Sequence, residues 1–344
     1  MLALYLGLLI FSFIITGILI IPFIDLLYRL KFQRQDEAAV VAEKKRTPIF
    51  HKFHAAKAGT PVCGGLLVIL VVSILYAVLF PIISYLGVYI SSAHSIKDEL
   101  NILFFTFISF GLLGFYDDLM KFFGFPNRGF FGLRLRHKFI IQWVLAFIIA
   151  FMLYQNLKIN FIHIPILGIL NLGIIYIPFA AFVIVAFTNA LNITDGLDGL
   201  VGGLLLICLL AFWVLAHSSL DTVLSVFLSL WIGSLIAFLY FNVYPARIFL
   251  GDVGALSFGA ALAVVGLLIG KLAAVVIIGG IFIVEIASSF IQMFSKKFLG
   301  RKVFPAAPFH LLLQHQGWEE PKIVMRAWLA GVILAIFGLW LAVI

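Results

Sequence analysis

Apolar residues run along this chain in blocks far longer than one face of a soluble helix. The blocks fall near residues 2–28, 61–90, 99–116, 138–155, 164–188, 200–216, 222–243, 254–270, 272–295 and 324–344. Each reaches or approaches the roughly 20 residues a helix needs to cross hydrocarbon. None shows the short two-residue alternation of a barrel strand. The pattern predicts an all-α polytopic integral membrane protein with about ten transmembrane helices. The division between the eighth and ninth blocks rests on Gly270 and Lys271, and one long re-entrant segment is the plainer alternative there. No Lys or Arg precedes the first block, and its apolar run from Met1 to Ile24 is too long for a cleavable signal peptide, so it is expected to span.

Composition agrees. Of 344 residues, 64% are hydrophobic and 11% charged, with mean hydropathy +1.20. A soluble domain carries about 25% charged residues, so lipid must be the solvent here. No polar stretch is long enough to fold apart, so residues 1–344 are expected to form a single membrane-embedded domain. Cys63 and Cys208 both sit in apolar segments and carry no redox information.

Charge then sets orientation. Loops 31–60, 117–138, 189–199, 244–253 and 296–323 alternate with the spans on one face and hold 18 Lys and Arg, against 3 (Lys97, Lys158 and Lys271) on the other. The basic face is expected to be cytoplasmic, with both termini extracellular or periplasmic. Ser92 and Ser218 then face outward, and Gln35 and Asn127 inward. The net charge of +8 reads mainly as topology, with anionic lipid or substrate second, and no nucleic-acid partner is expected.

The acidic residues carry the chemistry. Asp117, Asp118, Asp195, Asp198 and Asp252 are scattered in sequence, yet the topology brings all five to the basic face. A carboxylate beside hydrocarbon is costly and usually functional, although any one of them alone would pass for a solvated helix end. Asn189, Asn192, Asp195 and Asp198 recur every third residue, a row that stays aligned if the segment is tightened or unwound, as Gly196 and Gly199 would permit. Oxygen ligands of this kind suit Mg²⁺, whereas zinc is not expected because neither Cys lies near a His. Asp117 and Lys121 have the spacing of an ordinary helical ion pair. Their functional reading is a carboxylate that deprotonates a phosphate or binds metal, beside a cation that holds an anion. Asp252 lies between Gly251 and Gly254, with Asn242 and Arg247 on its approach; Arg247 is a candidate phosphate ligand. His310 follows Pro308 in the last basic loop; a lone His is more often structural. Glu285 lies in mid-span and is expected to hydrogen-bond structurally rather than to touch substrate.

Together these groups suit divalent-metal-assisted chemistry on a diphosphate at a membrane surface, with hydrolysis and phosphoryl transfer both open. A phosphate loop of the G-x-x-x-x-G-K-[ST] type is absent. A transporter or flippase is the rival from another class. Transporters place ionisable groups on broken helices at mid-membrane, and only Glu285 answers that description. A scaffold would leave five convergent carboxylates unexplained.

The ordered motifs resemble a known family, the polyprenyl-phosphate N-acetylhexosamine-1-phosphate transferases, from about Lys57 to the C-terminus. The resemblance rests on the Lys57–Gly65 segment, Asp117-Asp118 with Lys121, and the Asn189–Leu200 segment. It continues through Tyr244-Pro245 with Gly251–Gly254, and Ala307–His310 followed by Gly317-Trp318. It implies a membrane enzyme that uses Mg²⁺ to react UDP-N-acetylmuramoyl-pentapeptide with undecaprenyl phosphate, giving lipid I and UMP. By position it implies Asp252 as metal ligand, and Asp117, assisted by Asp118, as base for the lipid phosphate. Lys57, Gly196, Leu197, Asp198 and Phe249 would form the uridine pocket. Asn189, Asn192, Asp195, Asn242, Gln292 and the catalytic His310 would line the rest, with Lys121 and Lys138 on phosphate. Two departures stand out: Leu311 and Leu312 replace two of three successive histidines, and Val62-Cys63 replaces Thr-Met. A relative that uses UDP-N-acetylglucosamine is the alternative within the family, against which the Lys57–Gly65 segment and Gly317-Trp318 argue. The oligomeric state stays open, a homodimer among the options.

Overall fold

The computed structural model describes residues 1–34, 57, 59–123, 135–164 and 168–344. Gln35, Asn127 and the basic residues Lys44, Lys45, Arg46, Lys52, Arg128 and Arg134 lie outside the described residues.

The described chain is almost entirely helical. Among the described residues, nine helices are long and apolar enough to cross a membrane: α1 (Leu2–Arg29), α2 (Gly64–Tyr85), α3 (Ile96–Phe123), α4 (Leu135–Gln155), α5 (Tyr176–Thr194), α6 (Leu200–Ser218), α7 (Thr222–Asn242), α8 (Gly251–Ile269) and α12 (Glu320–Val343). Between α8 and α12 come α9 (Leu272–Ile278), α10 (Gly280–Phe298) and the short α11 (Phe309–His315). Counting α9 with α10 as one broken span gives ten. Helices are the natural answer to these runs, because hydrocarbon offers no partner for a backbone N–H or C=O.

Helices α7 and α8 form the centre, with 94% and 89% of their apolar windows buried, whereas α1 and α12, at 28%, lie at the rim. Around the centre, α3 and α5 pack on α8, α1 and α6 on α7, and α2 on both. Close approach at the centre depends on small residues. A Cβ on Gly65 would lie 2.6 Å from the backbone nitrogen of Gly254, and one on Gly114 would lie 2.6 Å from the Cα of Val253. These contacts draw α2 and α3 onto the start of α8, and so bring Asp118 and Asp252 together. At the other end of the bundle Asp221 caps α7 by accepting the Leu224 N–H at 3.0 Å, and Ser92 donates to the buried Glu99.

Two expectations need correction. The span placed at 164–188 starts later, at Tyr176, because residues 161–164 and 168–171 pair as antiparallel strands, β1 (Phe161–Ile164) against β2 (Gly168–Asn171), with Phe161 opposite Asn171. Pro165 and Gly168 interrupt the apolar run and disfavour helix there. The segment placed at 272–295 is two helices bent by 75° at Gly279-Gly280. Phe187 occupies the space a side chain at 279 would need, 2.6 Å from the Cβ position. Of the two conformations the sequence leaves open for the Asn189–Asp198 segment, regular helix holds to Thr194 in α5, and the residues from Asp195 depart from it.

Candidate active site

The C-terminal ends of α3 and α5 and the N-terminal ends of α4, α6 and α8 meet at one end of the bundle, and the sequence-predicted residues gather there in two groups. In the first, Asp117 and Asp118 on α3 face Lys138 on α4 and Asp252 on α8. Lys138 Nζ bridges Asp117 Oδ2, at 2.9 Å, and Asp252 Oδ2. Lys121 Nζ also reaches Asp252 Oδ2, at 2.8 Å, and lies 3.3 Å from Asp117 Oδ2. The i,i+4 pair is therefore one edge of a network, because Lys121 is closer to a residue on another helix.

The two adjacent aspartates are used differently. Asp118 accepts the backbone N–H of Asp252 at 3.2 Å and that of Val253 at 3.0 Å. It caps α8 from outside, satisfying donors that a helix start leaves unpaired. Asp117, 2% exposed, meets the two ammonium groups instead. Of the three carboxylates Asp252 is the most open, with its side chain 14% exposed. Cys63 packs its sulfur 3.5 Å from Asp118 Oδ2. Burial first, and then the Asp118 carboxylate, push its thiol far up, so it stays protonated and is no nucleophile.

The second group surrounds the turn between α5 and α6. Lys57 Nζ contacts Asp198 Oδ1 at 2.6 Å and Glu320 Oε1 at 2.5 Å, with the Gly196 carbonyl at 3.4 Å. Glu320 also accepts the backbone N–H of Asp198 at 2.6 Å, and Asp198 Oδ2 accepts that of Ala246 at 2.9 Å. Leu197 is buried in this turn. The Phe249 ring stands beside it, with Lys57 Nζ 5.9 Å and the Arg34 guanidinium 5.7 Å from its centre. A flat aromatic face flanked by cations and backbone polar groups suits a planar base. Glu320 was missed from sequence, since it lies 263 positions from Lys57.

Asp195 links the groups. Its carboxyl senses Asp252 and Asp118 on one side, and Arg34 and Lys57 on the other. Burial, reinforced by Asp252, pushes it up to about 7. Asn192 lies one turn before it, half-buried. His310, at the start of α11, stands against the same turn. A Cβ on Gly196 would lie 2.5 Å from His310 Nε2. Gly196 is thus needed for room and not for an unusual backbone. The imidazole's other nitrogen, Nδ1, is 2.9 Å from Glu285 Oε2. His315 is exposed.

Other candidates are turned to the scaffold. Asn189 donates to Gln142 Oε1 and to the Val185 carbonyl, both at 2.8 Å. Asn242 donates to the Ile248 carbonyl at 2.9 Å and braces the loop before α8. Gln292 donates to the Phe304 carbonyl at 2.7 Å and accepts the N–H groups of Val303 and Phe304, so its amide holds a loop. Arg247 lies over the Phe241 ring at 5.5 Å, not at the carboxylates.

Among the described residues, no three His, Cys, Asp or Glu side chains converge into a ready-made metal cage. Magnesium, however, is commonly held by only one or two carboxylates plus substrate phosphates. Asp117 and Asp252 supply such a pair, both oxygens already turned to shared cations.

Residues 100–270, which carry Asp117, Asp118, Asp195, Asp198 and Asp252 but not Lys57, His310 or Glu320, match the sequence profile of glycosyl transferase family 4. The chain is 35% identical over 335 residues to the phospho-N-acetylmuramoyl-pentapeptide-transferase of Geobacillus sp. (strain WCH70), covering 97% of this chain and 96% of that one. It is 34% identical to the like-named protein of Clostridium novyi (strain NT), over 85% and 89% of the two chains. With that of Thermodesulfovibrio yellowstonii the identity is 36%, over 84% and 81%.

Proposed function

The chain belongs to the phospho-N-acetylmuramoyl-pentapeptide-transferases, and from that premise we propose that it moves phospho-N-acetylmuramoyl-pentapeptide from its UDP derivative to undecaprenyl phosphate, giving lipid I and UMP. One observation carries the assignment to this site: a carboxylate–lysine network and an aromatic, lysine-bearing turn lie side by side, joined by Asp195.

The geometry divides the work. Phe249, Lys57 and the Gly196–Asp198 turn take the uridine, which sets the diphosphate beside Asp195. Lys121 and Lys138, already desolvated against carboxylates, exchange those partners for phosphate oxygens. Asp117 receives the proton of the lipid phosphate. Its freed oxygen attacks the phosphorus that bears the sugar, the new P–O bond forms, and the diphosphate bridge breaks with its electron pair leaving on UMP. Asp252 would hold Mg²⁺, which when bound neutralises charge on the diphosphate and the departing UMP. His310 presents Nε2 to the same turn as a hydrogen-bonding group. Asp118 acts by holding the start of α8, and with it Asp252, in place.

The chain works as a single membrane-embedded unit. The excess of Lys and Arg on the loops that carry the site supports a cytoplasmic active site in the inner membrane, with the lipid phosphate arriving at the interface. The test is UMP release by purified protein given undecaprenyl phosphate and each UDP-sugar in turn, with and without Mg²⁺. Turnover of UDP-N-acetylglucosamine in place of the muramoyl-pentapeptide donor would overturn the substrate; turnover unaffected by chelation would overturn the metal.

A further inference from the structure

Helix α10 carries Glu285, Ser288, Gln292 and Ser295, spaced i, i+3, i+7 and i+10, so all four lie on one face, and all four are buried. The opposite face exposes Val284, Ile291, Phe294 and Phe298. The polar face binds the loop that follows α10. Ser295 donates to the Arg301 carbonyl, Gln292 holds Val303 and Phe304, and Glu285 meets His310.

The last contact differs from the others. Ser295 and Gln292 touch only backbone, whereas Glu285 uses both oxygens on one residue. Oε1 accepts the His310 backbone N–H at 3.2 Å, and Oε2 lies 2.9 Å from the ring's Nδ1. Both side chains are 3% exposed. A neutral amide or hydroxyl would suffice to pin a loop, and a carboxyl group buried in a span is expensive. A carboxylate can only accept, so Nδ1 must carry the hydrogen. The second ring nitrogen, Nε2, is then the one left for chemistry, and it abuts Gly196 in the nucleotide-binding turn.

We propose that Glu285 is the positioning residue for His310: it fixes the Nδ1–H tautomer and aims Nε2 at the substrate side. This rests on the reading above that His310 contacts substrate. Glu285 itself touches neither substrate nor reacting atoms. The departure at Leu311 and Leu312 sharpens its role, because the loop then has no second histidine beside His310 to share the task.

The tautomer is read directly by ¹⁵N NMR of histidine-labelled protein in detergent, with His310→Ala identifying the signal. Wild-type protein should show Nδ1 protonated. A bare Nδ1 with hydrogen on Nε2 at neutral pH overturns the proposal with no variant needed. Glu285→Gln keeps an acceptor for the His310 N–H, but its amide turns a donor toward Nδ1 and so favours the opposite tautomer. Its kcat for UMP release should fall about 10–100-fold, with KM for the UDP-sugar within about threefold. The double variant with His310→Ala should be no worse than His310→Ala alone, as expected of two groups acting as one. If Glu285→Gln turns over normally while His310→Ala is crippled, the proposal fails and the role of His310 stands. Losses that multiply in the double variant also overturn it. If His310→Ala is itself nearly normal, the reading of His310 fails first.

Discussion

Adjacent aspartates look interchangeable, yet the structure predicts opposite failures for Asp117→Asn and Asp118→Asn. Asp118 is 1% exposed and gives one oxygen to each of two backbone donors, the N–H groups of Asp252 and Val253. An asparagine keeps one acceptor oxygen and turns an NH₂ group toward the other donor. One buried N–H is then unpaired, at a cost of about 1–3 kcal/mol. For a protein of this size that cost lowers the thermal midpoint by several degrees, on the order of 5 °C. Asp117 faces Lys121 and Lys138. Its amide variant still accepts hydrogen bonds from both, so the fold should persist with a much smaller shift. What it loses is the basic oxygen for the lipid phosphate, a loss of about 10²-fold or more in UMP release. The assay pairs thermal unfolding in detergent with turnover measured at a temperature where both variants are folded. A stable, inactive Asp118→Asn beside an unstable, active Asp117→Asn would refute the division of roles.

The other predictions follow from the same geometry. Asp252→Asn should remain folded and lose about 10²–10³ in Mg²⁺-dependent turnover; near-normal activity would remove Asp252 from the metal site. His310→Ala should lose on the order of 10² in UMP release, while the exposed His315→Ala stays within about twofold; the reverse order would show that the loop is misread. Asp195, pushed up to about 7, is mainly neutral below that pH and anionic above it. Its charge then repels a diphosphate, so kcat/KM for the UDP-sugar should fall as pH rises through 7, and Asp195→Asn should flatten that limb. A limb that survives the substitution would belong to another group.

The spans and the site residues differ in how far they could be read from the chain. Spans are local: a run such as 222–243 announces α7 because hydrocarbon selects for nothing else. Local reading fails where apolar residues serve another structure. Ile164, Ile169 and Leu170 counted toward a span although they pair in a hairpin. Hydropathy passes smoothly through Gly279, where the chain bends against Phe187. The carboxylates on the basic face were visible because lipid makes each of them conspicuous. Their partners were not. Glu320 lies 263 positions from Lys57, and Glu285 lies 25 from His310, so no spacing rule connects them. Gly196 was read as backbone freedom, but its reason is the imidazole that fills the space beside it.

The charges at the site point to what the reaction requires. Among the described residues, Asp117, Asp118, Asp195, Asp198, Asp252 and Glu320 stand against Lys57, Lys121, Lys138 and Arg34. Phosphate-bearing substrates that arrive there meet lysines already paired with carboxylates. The lysines are held by the carboxylates they must leave, and each exchange exposes a carboxylate that needs a new counterion. A divalent cation held at Asp252 would answer that demand, compensating the carboxylate as Lys121 and Lys138 turn to phosphate. On this view the ion pairs of the resting site stand in for the metal and the substrate. They keep buried carboxylates compensated in a setting where an unpaired charge would cost several kcal/mol. On the proposed mechanism the network would exchange its partners by kind, ammonium for metal ion and carboxylate for phosphate, over a scaffold held by Asp118 and the close glycine contacts.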